Sequence, residues 1–135
     1  MIKYNFKNKT ILITAASKGI GFELARQLAL YGANVSIISR NAKNLIIAKK
    51  KILTLKEDAK IFTIKYNLED TKNLRKIITK TEKFFKSKID ILINNSGGPE
   101  PKLIINTKNK DWEKALNINL KSAIYLSMQV IKNMK

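Results

Sequence analysis

Cysteine and histidine are both absent from the 135 residues of this chain. Without cysteine the chain has no disulfide and no thiolate metal site, and without histidine as well we expect no transition-metal centre. Long apolar runs are also lacking. The apolar segment that follows the first ten residues is short and is interrupted by Thr14, so we expect neither a signal peptide nor a membrane span. These absences favour a cytoplasmic protein with no membrane and no metal partner.

Acidic residues are scarce, since ten Asp and Glu stand against 27 Lys and Arg for a formal net charge of +17. A cation excess favours nucleic-acid binding when the cations gather on one face. Here the lysines recur on the polar sides of several different helical patterns, and arginine occurs only at Arg26, Arg40 and Arg75. We interpret the charge as a bias toward lysine on solvated surfaces and expect no nucleic-acid partner.

Short isoleucine-rich segments alternate with amphipathic segments along the chain. The short segments, which are predicted to be buried strands, are Thr10–Thr14, Val35–Ser39, Lys60–Lys65 and Asp90–Asn94. Between them the apolar residues recur with the 3.6-residue period of a helix. Strand and helix in alternation predict right-handed βαβ units, and the length allows one domain. We therefore expect an α/β fold with a doubly wound parallel sheet over residues 1–135.

The segment Thr14–Gly21 follows the first predicted strand and opens the first predicted helix. A strand that ends in a turn of small residues leaves the first N–H groups of the next helix directed outward, where a pyrophosphate can accept from them. Gly19 and Gly21 would let the ligand approach the backbone and let helix and strand pack closely. A positive φ at Ala15 would carry strain. The alternative is an ordinary strand-to-helix connection rich in small residues.

The second predicted strand ends in Ser39-Arg40-Asn41. In dinucleotide folds a residue about 20 positions past the glycine turn meets the adenosine ribose. An acid there would bind a free 2′-hydroxyl, whereas an arginine pairs with a 2′-phosphate. With Lys18 as a second cation nearby, NADP(H) is favoured over NAD(H). A solvated loop residue is the alternative interpretation of Arg40.

The fourth predicted strand ends in the amide-rich and glycine-rich segment Asn94–Gly98. Two amides at the carboxyl end of a buried strand can bridge backbone groups of the neighbouring strands, and the glycines allow backbone contact with a cofactor where the sheet order reverses. A plain turn rich in asparagine and glycine is the alternative.

A single helical pattern runs from Asp111 to the end of the chain. Its apolar face is predicted to contain Trp112, Leu116, Ala123, Val130 and Met134. Asn119 stands seven residues after Trp112 and therefore falls on the same face. An inward amide among apolar residues needs hydrogen-bond partners, and it is either a structural plug or a functional group.

These motifs resemble those of the short-chain dehydrogenase/reductase family. The glycine turn of the family appears at Ala15–Gly21, with Ala15 in place of its first glycine, and its Asn-Asn-Ala-Gly motif appears at Asn94–Gly97, with Ser96 in place of the alanine. The resemblance implies a Rossmann-type sheet with strand order 3-2-1-4. It also implies a catalytic role for Asn119, whose backbone carbonyl would bind a water in a proton relay.

The resemblance further implies a set of cofactor-binding residues. They are Thr14, Ala16, Ser17, Lys18, Gly19, Ile20 and Gly21 in the phosphate turn, Ser39 and Arg40 at the 2′-phosphate, Asn67 and Leu68 at the adenine, and Asn94, Ser96 and Gly97 near the central ribose. Asn67 is the least specific of these, because an asparagine at this position would equally cap the turn into the next helix.

Two catalytic features of the family are missing from this sequence. Members carry a serine after the next strand and then a Tyr-x-x-x-Lys pair, in which the tyrosine exchanges a proton and the lysine lowers its pKa. The residues four positions beyond Tyr4, Tyr31, Tyr66 and Tyr125 are Asn8, Val35, Asp70 and Gln129. The resemblance thus covers the amino-terminal half of a family domain, and we expect a truncated or split gene product or a fragment of a longer chain.

The activity implied by the resemblance is reduction of a carbonyl with NADPH, nearest to the 3-oxoacyl-carrier-protein reductase group. The expected substrate is a small-molecule or acyl-carrier-bound carbonyl, and the full-length family member is expected to be a homo-oligomer. The alternative is a non-catalytic nucleotide-binding or partner-binding module, which would keep the glycine turn and need no Tyr-Lys pair.

Overall fold

A computed structural model describes residues 4–134 of the chain. Its strands are β1 (Thr10–Ile13), β2 (Asn34–Ser39), β3 (Lys60–Lys65) and β4 (Ile91–Ile93). Its α-helices are α1 (Gly19–Leu30), α2 (Ala42–Leu55), α3 (Arg75–Phe85), α4 (Asn109–Leu116) and α5 (Ser122–Val130). The strands form one parallel sheet in the order β3-β2-β1-β4, which confirms the predicted α/β fold and strand order.

The sheet lies between two apolar layers because successive side chains of a strand point to opposite faces. Ile11 and Ile13 of β1 pack in one cluster with buried residues of α1 and α2, whereas Leu12 packs in a second cluster with α3 and α5. All three of these β1 side chains are fully buried. Helices therefore cover both faces of the sheet, and because all its strands are parallel their carboxyl ends lie at one common edge. Within residues 4–134 no helix combines the length and the hydropathy that a bilayer crossing requires.

The predicted single helix from Asp111 onward is wrong in one respect, because a π-helical turn at Asn117–Lys121 separates α4 from α5. A π turn accommodates one extra residue, which rotates the residues after it by about 100° relative to an unbroken α-helix. The predicted apolar stripe is divided at this turn, because Val130 is buried and Met134 packs against the core, whereas the residues before the turn do not. Trp112 and Leu116 are 53% and 47% exposed. The buried residues of α5 are Ser122, Leu126 and Val130.

We expect Leu126→Ala to lower the free energy of unfolding by about 2–5 kcal/mol, because it empties a fully buried position. Leu116→Ala is the matched control on the predicted stripe, and it should cost no more than about 1 kcal/mol, since that side chain is half exposed. Urea titration of both variants measures the difference. Equal losses would contradict the change of face at the π turn.

Candidate functional site

One cavity of about 880 Å³ lies at the carboxyl edge of the sheet, where ligands of open α/β sheets bind. It is enclosed by the turn after β1, the ends of β2 and β3, the segment after β4, and α4 with its π turn. The predicted site residues that line it are Ser17, Lys18, Gly19, Ile20, Ser39, Arg40, Asn67, Leu68, Ser96, Gly97 and Asn119. Thr14, Ala16, Gly21 and Asn94 were also predicted, but they lie outside this lining.

Thr14 and Asn95 fasten the turn after β1 to the end of β4. The Thr14 hydroxyl donates to the backbone oxygen of Asn95 at 2.6 Å and accepts from its backbone N–H at 2.9 Å. The Asn95 side-chain amide donates to the backbone oxygens of Thr14 and Ala15 at 3.2 and 3.1 Å. These bonds fix the part of the cavity wall that Asn95 and Ala15 line, and Thr14 supports it from outside the lining.

Asn95 is absent from the predicted binding set, which named its neighbour Asn94 instead. The structure directs the Asn94 side chain away from the cavity, where its amide donates to the Ser127 hydroxyl of α5 at 3.0 Å. The pair Asn94-Asn95 in the sequence did indicate that an amide bridges neighbouring strand ends. It did not reveal which amide faces the turn, because neighbouring residues point to opposite sides.

The glycines of the turn have two different geometric roles. A Cβ on Gly21 would lie 2.6 Å from the Asn95 side-chain nitrogen and 2.9 Å from the Ala15 oxygen, so no side chain fits there. Gly19 has a φ of +58°, and a Cβ on it would meet nothing within 4 Å. Gly21 thus permits close packing of α1 on the turn, and Gly19 leaves open space in front of the helix.

The amino terminus of α1 borders that open space. The helix has 12 residues, its N-cap Lys18 makes no side-chain capping bond, and its first turn contains no acidic residue. The first N–H groups of a helix are unpaired and carry a partial positive charge. The arrangement therefore suits an anion, such as a phosphate group of a ligand.

A second polar cluster lies where β1 and β2 end. The Ser17 hydroxyl donates to the Ser39 hydroxyl oxygen at 2.9 Å, and that oxygen also accepts from the backbone N–H of Asn41 at 3.3 Å. Lys18 and Arg40, the residues that follow these serines in the sequence, are exposed and line the same cavity. Two hydroxyl groups and two cations in one cavity favour a phosphate over a neutral ligand.

The loop after β3 contributes Asn67 and Leu68 to the cavity. The Asn67 side-chain oxygen accepts from the backbone N–H of Glu69 at 3.2 Å, whereas Leu68 is largely buried in the core. The Tyr66 hydroxyl donates to the backbone oxygen of Asp70 at 2.7 Å. Burial raises the pKa of Tyr66 to about 12, and the Asp70 charge adds to this shift. The phenol is therefore a permanent donor near neutral pH.

Asn119 lies in the π turn and faces the cavity, which corrects the expectation of an inward amide on an apolar face. Its side-chain oxygen accepts from the Ser96 hydroxyl at 2.5 Å, and its amide donates to the backbone oxygen of Ala115 at 2.9 Å. The family motif has an alanine at the position of Ser96. The hydroxyl that Ser96 adds there contacts Asn119, the predicted catalytic residue. π turns recur at functional sites, and this one exposes Asn119 beside the end of β4.

The sequence of residues 9–135 matches the family model for short chain dehydrogenases. The chain belongs to the short-chain dehydrogenase family. It is 36% identical over 132 residues to a 3-oxoacyl-acyl-carrier-protein reductase of Rickettsia bellii, an alignment that covers 96% of this chain and 50% of that protein. The chain spans about half the length of the curated relatives it matches.

Solved structures of short-chain dehydrogenases superpose closely on this chain. A short-chain dehydrogenase of Burkholderia cenocepacia in complex with NADP matches with a TM-score of 0.87 at 25% identity, covering 97% of this chain and 53% of that one. A short-chain dehydrogenase of Bacillus anthracis matches with a TM-score of 0.82 at 30% identity, covering 93% and 51% of the two chains. The resemblance inferred from the sequence motifs and the Rossmann-type fold are thus confirmed.

We expect Ala15→Gly to raise the free energy of unfolding by about 0.5–1 kcal/mol. Ala15 has a φ of 48°, a left-handed conformation that costs a residue with a Cβ roughly 1–2 kcal/mol. The freedom that glycine adds to the unfolded chain removes part of this gain. Ala16→Gly is the control, because Ala16 is fully buried and should lose stability on losing its methyl group. Urea titration compares the two, and a loss of stability in both variants would contradict the strain at Ala15.

Proposed function

We propose that the cavity binds NADP(H) and that the chain is the nucleotide-binding half of a reductase that acts on a carbonyl. The observation that carries the proposal is the cluster of Ser17, Lys18, Ser39 and Arg40 at the ends of β1 and β2. No acidic residue occurs between Ser39 and Lys56, so a free 2′-hydroxyl would find no carboxylate in this segment. The NADP complex of the Burkholderia relative supports the same cofactor class.

The described residues fit a dinucleotide along the cavity. The pyrophosphate would lie against the N–H groups at the start of α1, where the open space at Gly19 admits it. Ser39 and Arg40 would hold the 2′-phosphate, and Asn67 and Leu68 would border the adenine. Ser96 and Gly97 would border the central ribose, while Asn94, directed to Ser127, would act by supporting the end of β4. The cofactor supplies the hydride, and the protein supplies binding and orientation.

The substrate end of the cavity lies between the segment after β4 and α4. Asn119 is the member of the family's catalytic set that this sequence contains, and Ser96 fixes its side chain. A small-molecule or acyl-carrier-bound carbonyl, such as a 3-oxoacyl thioester, is the substrate class that the Rickettsia relative supports. We extend the proposal to a cytoplasmic, homo-oligomeric assembly for the whole family member.

A non-catalytic nucleotide-binding module is the second candidate function. Two features together favour it. The phosphate turn has all its supporting contacts, and the sequence contains no Tyr-x-x-x-Lys. The two candidates share the cofactor and differ in whether the 135-residue chain transfers hydride to a carbonyl. Activity measurements therefore separate them.

We expect the chain to bind NADPH about 10–100-fold more tightly than NADH, since a hydrogen bond to a charged group contributes about 1.5–3 kcal/mol. Arg40→Asp should abolish or reverse this preference. Arg75→Asp, at the exposed start of α3 and outside the cavity lining, is the charge-matched control and should preserve it. Fluorescence titration with both cofactors gives the ratio. Equal affinities in the unaltered chain, or a preference for NADH that survives Arg40→Asp, would contradict the proposal.

We expect the purified 135-residue chain to reduce no 3-oxoacyl thioester at a measurable rate, although it binds NADPH. The amide of Asn119 is too weak an acid to protonate an alkoxide, and a positioned general acid contributes typically 10²–10⁴-fold. The measurement is NADPH oxidation with an acetoacetyl thioester. Steady oxidation that depends on the thioester and disappears in Arg40→Asp would show that this chain contains a proton donor of its own.

A further inference from the structure

Tyr66 connects the end of β3 to the loop that borders the adenine end of the cavity. Its backbone N–H donates to the Ser39 oxygen at 2.9 Å, which continues the pairing of β3 with β2 by one residue. Its ring packs, partly buried, against the apolar cluster that contains Ile38, Ile64 and Leu68, and it also lines the cavity. The residue is thus anchored in the sheet and in the core at once.

The hydroxyl of Tyr66 closes the loop by donating to the backbone oxygen of Asp70 at 2.7 Å. The other hydrogen bonds of this segment join neighbours within the loop. The Asp70 N–H donates to the Asn67 oxygen at 3.0 Å, and the Asp70 carboxylate accepts from the side-chain amide of Asn73 at 3.0 Å. Leu68 and Leu74 are buried in the same apolar cluster, and between these two core contacts the phenol ties the exposed Asp70 backbone to the core-packed ring.

The loop itself is exposed at Asn67 and Asp70, so its bonds to neighbours compete with water. The ring of Tyr66 is less accessible, and its hydroxyl stays protonated over the whole range in which a nucleotide is bound, because burial raises its pKa to about 12. The hydroxyl therefore remains a donor to Asp70 through the neutral range.

We propose that Tyr66 is a positioning residue for the adenosine half of the ligand, acting through the Asp70 oxygen to hold Asn67 and Leu68 at the cavity wall. The inference rests on the proposed function, since it takes the cavity to be a nucleotide site. Tyr66 itself is not a catalytic residue, because its hydroxyl donates to Asp70 and the residue follows β3, at the opposite edge of the sheet from β4, after which Ser96 contacts Asn119.

The test is Tyr66→Phe, which keeps the ring in the core and removes the hydroxyl. Two probes divide the ligand: 2′,5′-ADP carries the adenosine half, and reduced nicotinamide mononucleotide carries the other. We expect the variant to bind 2′,5′-ADP about 2–10-fold more weakly, the equivalent of one hydrogen bond, with unchanged affinity for the mononucleotide. Tyr31→Phe, at the half-exposed end of α1 and outside the cavity lining, is the control and should change neither affinity.

Each outcome of the titration has a defined meaning. An equal loss of affinity for both probes would show general loosening and overturn the inference, as would no loss for either. If the unaltered chain binds neither probe, the proposed function fails and the inference fails with it. If the unaltered chain binds both and only the effect of Tyr66→Phe is missing, the inference fails alone.

Amide hydrogen exchange tests the positioning step without a ligand. In Tyr66→Phe the amides of Glu69, Asp70 and Thr71 should exchange faster, because the Asp70 backbone loses its hydrogen bond to the core-packed residue 66. Exchange at Ile11–Ile13 of β1 should stay as slow as in the unaltered chain, which shows that the variant is folded. Unchanged exchange at Glu69–Thr71 would overturn the inference.

Discussion

The contact on which the cavity depends is the set of hydrogen bonds between Thr14–Ala15 and Asn95. The turn after β1 contains a left-handed residue with a side chain, Ala15, which the local sequence would not hold in place by itself. Asn95 binds the backbone oxygens on both sides of that strained position, and the Ala16 N–H donates to the Ile38 oxygen of β2 at 2.9 Å. The shape of the phosphate turn is therefore imposed by the two neighbouring strand ends.

The chemistry of the cavity follows from this convergence of strand ends. Because Gly21 admits the Asn95 amide at close range, α1 starts directly behind the turn and directs its first N–H groups into the open space at Gly19. The end of β2 brings Arg40 into the same cavity as Lys18. A partial positive charge at the helix terminus and two full charges beside it favour a ligand with several phosphate groups.

Much of this architecture was predictable from the sequence, because buried isoleucine-rich strands and a glycine turn have strong local patterns. The strands and their order were predicted correctly, and most of the predicted site residues, from the segments that follow the four strands and from the π turn, line one cavity. The π turn at Asn117–Lys121 was not predicted, since it arises from a shift of backbone hydrogen bonds that leaves no periodic mark in the side chains. The sequence also did not predict which of Asn94 and Asn95 contacts the turn after β1, since neighbouring side chains of an extended segment point in opposite directions.

The most direct test of the account is a crystal structure of the chain grown with NADPH. We expect the pyrophosphate at the backbone N–H groups of Gly19 and Ile20, with the 2′-phosphate within hydrogen-bond distance of Ser39 and Arg40. A nucleotide bound at another surface, or one in this cavity with its 2′-phosphate directed away from Arg40, would contradict it.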